Sequence, residues 1–326
     1  MLLDLITNRR IVFFGGKGGV GKTTVSAALA VAAADSGKKV LLVSTDPAHN
    51  LGHLFNRKIG ATPVKLAPGL DGLELDPEQT VRQHLDEVTR ALRKLMPVHL
   101  SGEVDKHMAL SRDAPGMQEA AMLERIAEVV EQASGYDLIV FDTAPSGHTA
   151  RLMALPEMMS AWTDGLIKRR DKADRFSAVL NSLNRDTSVG DKMLGDESDD
   201  SEEDRESRIR RLLNRRKQRF AGLRDALSDQ RQTGFVIVLA AERLPVLETI
   251  ELYAQLQQSR VDVAGLVVNK RLPDGMLGFL ADRREQEDIH LQMLQEKLAH
   301  LPRKDLQLAA HDVLGVDALR AFAASF

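Results

Sequence analysis

Five stretches of the chain are apolar at nearly every position rather than at alternate ones. They are IVFFGG at 11–16, KVLLVSTD at 39–46, YDLIVFDTA at 136–144, FVIVLAA at 235–241 and VAGLVVNK at 263–270. A strand reads this way when helices cover both faces of its sheet. LELD at 73–76 is a weaker strand candidate. Between these runs the apolar residues recur with a helical period, at 22–35, 116–132, 244–258 and 283–299. Strands alternating with helices predict an α/β fold with a mostly parallel, doubly wound sheet flanked by helices.

The spacing of the runs is uneven. About 90 residues separate Ala144 from Phe235, and they read as helices with loops: LMALPEMMSAWTDGLIKRR at 152–170, then RESRIRRLLNRRKQRFAGLRDAL at 205–227. A second helical stretch occupies roughly 78–132. Both exceed an ordinary crossover. The expectation is one domain over 1–326, with a helical subdomain at the sheet edge inserted from about 78–132 and 150–232. Within the second insert, GDESDDSEEDRES at 195–207 is acidic and almost free of apolar residues, which predicts a mobile, solvated loop.

Composition narrows the chemistry. The chain has no cysteine, so disulfides, thiolate metal sites, iron–sulfur clusters and a catalytic thiol are excluded. Aromatic residues make up 4% and the net charge is −3, which argues against a nucleic-acid partner. The opening MLLDLITNRR is too short an apolar run for a signal peptide, and no run reaches the roughly 18 residues of a membrane span. A cytoplasmic protein is the expectation.

The first run leads into GGKGGVGKTT. Gly16, Gly21, Lys22 and Thr23 fit G-x-x-x-x-G-K-[ST] between a strand and a helix, the phosphate-binding P-loop of nucleotide hydrolases. Its glycines let backbone N–H groups point at phosphate oxygens without Cβ obstruction, and the helix from Lys22 adds its positive end. The candidate nucleotide site is Gly16, Lys17, Gly18, Gly19, Val20, Gly21, Lys22, Thr23 and Thr24, with Lys22 on the terminal phosphates of ATP and Thr23 on Mg²⁺.

The second lysine, Lys17, turns the loop into GKGGVGKT. This resembles the signature-lysine loop of the dimeric ATPases that include nitrogenase iron protein, partition and septum-positioning ATPases, and arsenite-pump and tail-anchored-protein-targeting ATPases. STDPAHNLGHLF at 44–55 and DTAPSGHTARLMALP at 142–156 resemble the two nucleotide-sensing switches of the last, arsenite-pump and tail-anchored-targeting branch. The resemblance implies a homodimer in which Lys17 crosses to the partner's nucleotide. It makes Asp46 the catalytic aspartate that positions and polarises water. It makes Asp142 the Mg²⁺-linked acid, partly through water. Independently, a carboxylate ending an apolar strand is costly unless it faces an ion. His49, His53 and His148 lack metal-ligand spacing. Further on, FVIVLAAERLPVLETIELYAQL at 235–256 and LAAHDVLGVDALRAF at 308–322 also resemble the branch, and Asn269 falls where its adenine-recognising asparagine lies. Ser146, Ala150 and Lys270 depart from its usual threonine, leucine and glutamine. In the targeting members a cysteine pair from each subunit shares zinc at the dimer interface. Leu277 and Leu280 of LGFL stand at those positions, so no zinc is expected and an apolar clasp replaces it.

The resemblance implies either of two uses of the ATP cycle. The favoured one is binding and delivering a hydrophobic membrane-protein segment to a receptor. Eight of the chain's eleven methionines fall in the inserts, and Met153, Met158 and Met159 are the candidate cargo-groove residues, because methionine adapts to varied apolar partners. Their competing role is simple helix core. The alternative is the ATPase subunit of an arsenite or anion efflux pump, here without a thiolate metalloid site. RIRRLLNRRKQRF at 208–220 is a basic helix compatible with peripheral membrane contact or a receptor, or with an ordinary solvated face.

Overall fold

In the computed structural model the described residues are 4, 6, 8–46, 50–95, 102, 112, 116–144, 153 and 202–326. The strands are β1 Ile11–Gly15, β2 Val40–Ser44, β3 Val64–Ala67, β4 Leu70–Glu74, β5 Leu138–Asp142, β6 Thr233–Ala240, β7 Val263–Arg271 and β8 Arg303–Gln307. They form one sheet in the order β3-β4-β2-β5-β1-β6-β7-β8. Every neighbouring pair is parallel except the β3–β4 hairpin. The α/β fold with a mostly parallel sheet is therefore as the apolar runs predict.

The helices among the described residues are α1 Lys22–Asp35, α2 Asn50–Phe55, α3 Pro77–Leu95, α4 Met117–Gln132, α5 Glu202–Ser228, α6 Arg243–Gln258, α7 Phe279–Leu298 and α8 Gly315–Ala323. Successive strand residues serve opposite layers. On β1, Val12 and Phe14 pack with α1, α2 and α8, whereas Ile11 and Phe13 pack with α4, α5, α6 and α7. In that second layer Phe13 stacks on Phe141 at 4.7 Å between ring centres and faces Phe235 at 6.4 Å.

Three strands carry no continuous apolar run: β3, β8 and β4, which reads LDGLE and overlaps the weaker candidate at 73–76. Among the described residues β3 has only β4 as its neighbour, and β8 reads RKDLQ and has only β7, with Leu306 its one buried residue. Of the two inserts, α3, α4 and α5 fall within the described residues, while 103–111 and 154–201 lie outside them. Met122, Leu123 and Ile126 of α4 and Phe220, Leu223 and Leu227 of α5 are buried in the same core as the central strands. Their apolar stripes pack in one layer with the inward residues of β1, β5 and β6. Residues 202–207 of the expected acidic loop are already helical in α5, while 195–201 lie outside the described residues.

Candidate nucleotide site

All site elements converge on the carboxyl edge of the sheet, where the strand order turns at β1 between β5 and β6. This is where open α/β sheets bind ligands. Gly16 runs at φ 143, and a Cβ there would strike the backbone carbonyl of Val238 on β6. Gly21 runs at φ 90, and a Cβ there would strike the Asn269 side-chain amide. Glycine is required at both positions by close approach as much as by conformation. From Gly21 the chain enters α1 without any side-chain cap.

Lys22 is buried, and its Nζ donates to the Lys17 carbonyl at 3.1 Å. Burial pushes its ammonium below the ordinary lysine value, against the opposing pull of Asp142 and Asp46. Thr23 Oγ1 donates to Asp142 Oδ2 at 2.6 Å, across from α1 to the end of β5. Asp46 lies half-buried just past β2, its N–H donating to Ser44 Oγ at 3.2 Å. Thr143, just past β5, ties that strand end to the phosphate-loop strand, its Oγ1 donating to the Phe14 carbonyl at 2.8 Å.

Lys17 points outward from the loop and pairs with Glu248 of α6 at 2.7 Å, within its own subunit. Asn269 closes the other side. It is buried, and its Nδ2 donates to the Val20 carbonyl at 2.9 Å. Lys270 Nζ reaches the Gly19 carbonyl at 2.8 Å.

The profile of the anion-transporting ATPase family matches residues 9–326. The chain belongs to this family. A putative arsenical pump-driving ATPase 2 of Aquifex aeolicus is 30% identical over 96% of this chain and 97% of its own length. An ATPase ASNA1 homolog of Entamoeba histolytica is 31% identical over the whole chain and 96% of its own. An arsenical pump-driving ATPase of Acidiphilium multivorum is 31% identical over 96% of this chain, which spans 49% of that longer protein. As a member of this ATPase family the chain hydrolyses ATP, and the P-loop lies where that reaction needs it.

The donor set fits Mg²⁺. Asp142 is fully buried, and its Oδ1 has no hydrogen-bond partner among the described residues. Desolvation raises its carboxyl to about 7, with the Thr23 hydrogen bond and the Lys22 charge opposing and Asp46 adding to the rise. A buried acid short of positive charge beside a hydroxyl is an oxygen site suited to a hard cation. Mg²⁺ bound with ATP would neutralise charge on the phosphates, with Thr23 and Asp142 holding it. Lys22 supplies a fixed positive charge in a site shielded from water, where such a charge acts most strongly.

The structure therefore brings together Gly16 through Thr24, Asp46, Asp142 and Asn269 at one sheet edge. His49, His148, Ser146, Ala150, Met158 and Met159 lie outside the described residues. His53 is exposed at the end of α2. Met153 is buried in the core beside the sheet, so it does not line an open groove in this structure. Sequence reading missed Glu248 as the partner of Lys17. The two are 231 residues apart, and nothing local marks the pair.

Proposed function

We propose that this ATPase works as a cytoplasmic homodimer whose ATP-driven closure is coupled to binding and delivering a hydrophobic membrane-protein segment. The observation that favours association is an apolar surface next to the nucleotide site. Leu277 and Phe279 are 88% and 79% exposed, and Leu280 is also exposed, at the start of α7. Leu244 and Leu247 are exposed at the start of α6, and Arg283 donates to Glu242 at 2.7 Å, which joins the two helix starts. An apolar cluster rimmed by charge is the usual mark of an interaction surface. A second copy fits it, with Leu277 and Leu280 as the clasp and Phe279 added. In this reading Lys17 leaves Glu248 as the subunits close and stabilises charge on the partner's transferring phosphate, while Asp46 orients water. Asn269 recognises adenine.

The test uses Asp46→Asn with ATP. Sedimentation should show a tight dimer, against a loose or monomeric state without ATP, and Leu277→Asp with Leu280→Asp should weaken the dimer. The trapped dimer, offered a peptide bearing one transmembrane segment, should hold it in aqueous solution. Mixing Lys17→Ala with Asp46→Asn should restore part of the lost hydrolysis if the two residues act from opposite subunits. A dimerisation constant indifferent to both ATP and the leucine changes would overturn the association. Failure to hold the segment, with dimerisation intact, would overturn the cargo.

A second reading is favoured by the pump-driving names of two relatives: the ATPase drives an arsenite or other anion pump. Without cysteine it would do so by contact with a membrane subunit. Saturable stimulation of the purified protein by arsenite would favour this reading over delivery.

A further inference from the structure

Lys270 makes a contact that the P-loop motif does not require. It sits on β7 between two buried residues, Asn269 and Arg271, and is itself exposed. In a regular strand the side chains of 269 and 270 would point to opposite faces. Here Lys270 runs at φ 60, a left-handed conformation that a side chain other than glycine rarely adopts. The turn lets two consecutive side chains reach the same loop. Asn269 Nδ2 donates to the Val20 carbonyl at 2.9 Å and Lys270 Nζ to the Gly19 carbonyl at 2.8 Å. Behind them the strand end is fixed, because Arg271 donates to Glu287 and Asp288 of α7, each at 2.6 Å.

The loop needs such a hold. Gly18 and Gly19 are exposed, Gly19 runs at φ 79, and no atom beyond its immediate chain neighbours lies within 4 Å of where its Cβ would be. A glycine pair without packing has wide conformational freedom, and ordering it on ligand binding costs entropy. Fixing two successive carbonyls from outside the loop restricts how its peptide groups turn, and so presets the direction of its N–H groups.

We propose that Lys270 is a positioning residue for the phosphate-binding loop. It holds the Gly19 carbonyl outward and thereby sets nucleotide affinity. The inference rests on the loop's role as the ATP site and asks what orders that loop before ligand arrives. Backbone strain at a site of this kind persists where surrounding contacts enforce it.

The test compares the wild type with Lys270→Met, Lys270→Gly and Lys270→Arg. Calorimetric titration with MgADP should show about tenfold weaker binding for the Met and Gly variants, the scale of one lost charge-assisted hydrogen bond. Arg, which keeps a charged donor, should recover most of it. The KM for ATP should rise by the same factor, with kcat falling less than about threefold. Hydrogen exchange of the ligand-free protein should quicken at the amides of Gly19, Val20 and Gly21. Lys270→Gly separates this from a general structural role. Glycine accepts φ 60 without strain, so its Tm should stay level or rise while its affinity still falls. Binding by Met and Gly within about twofold of wild type would overturn the proposal. So would weaker binding with unchanged exchange in the loop, which would assign Lys270 to the nucleotide itself. A wild type that bound no MgADP would instead overturn the nucleotide role of the loop.

Discussion

Asp142 and Glu124 are carboxylates in buried positions, and their surroundings are opposite. Asp142 ends β5 facing a threonine hydroxyl, and burial is the largest influence on it, raising its carboxyl to about 7. Glu124, on α4, is also penalised by burial, yet His84 of α3 and Arg216 and Arg219 of α5 hold it below the usual carboxylate range. Its oxygens lie 2.7 Å from His84 Nδ1 and 3.2 Å from Arg216 Nε. Around it Arg219 bridges Glu128 at 2.7 Å and Glu131 at 3.0 Å. The fold neutralises the carboxylate that ties its inserts together. It leaves the carboxylate at the nucleotide edge short of positive charge, so a cation arriving with the ligand completes it. A buried acid becomes informative about function only when its partners are counted.

The sharpest way to break this comparison is to neutralise each acid by an isosteric amide. Asp142→Asn should lower Mg²⁺-dependent ATP turnover by at least ~100-fold, since a metal site contributes several kcal/mol to charge stabilisation. Its ligand-free stability should hold, because burial already favours the uncharged form of this side chain and the amide oxygen can still accept from Thr23. Turnover near wild type would show that Asp142 serves no cation. Glu124→Gln should do the reverse, costing roughly 3 kcal/mol in denaturant unfolding by leaving His84 and Arg216 without their partner. Normal stability in that variant would mean that the ion cluster is dispensable.

The two acids should also give pH dependences of opposite sign. Glu124 has a lowered folded pKa, so its stabilisation is complete above the ordinary glutamate value, and it disappears as pH falls through the folded value. The stability gap between wild type and Glu124→Gln should therefore close in acid. Asp142 has a raised folded value, so the ligand-free protein keeps a proton that the unfolded chain releases. Its contribution to stability declines as pH rises from about 4 to about 7. Urea titrations across this range, with the amide variants as references, read both slopes. The smallest effect belongs to the exposed pair on α3, where Arg82 meets Glu78 at 3.1 Å. Arg82→Ala should cost no more than ~0.5 kcal/mol. A loss equal to that of Glu124→Gln would mean that burial is not what separates the insert's charges.

Much of the nucleotide edge was legible because it is local. Gly16 to Thr24 form one continuous loop and helix start, and Asp46 and Asp142 each close an apolar strand. The roles of Asp46 and Asn269 come from the resemblance to the family's motifs, not from local pattern, which shows only that each closes an apolar strand. What escaped depends on contacts between distant segments. The sequence shows no link between Lys17 and Glu248, or between His84, Glu124 and Arg216, because charged residues on helices are ordinarily solvated. The methionines show the same limit from the other side. Met153 has the composition expected of a groove, and only packing reveals it as core. β8 was invisible because an edge strand with one neighbour needs no unbroken apolar run, and RKDLQ has none.

That last strand has a consequence for how the protein keeps company. An open sheet ends in a row of unpaired backbone groups, and such a row is a template for a foreign strand. Here one border is β3, only four residues long, and the other carries Arg303, Lys304 and Asp305 in succession. Shortness at one border and consecutive charged residues at the other discourage the sheet from growing by addition of another chain. Protection from fibre-like stacking is thus built into the two least conspicuous strands, and contacts with other molecules fall to side chains on the helices and loops.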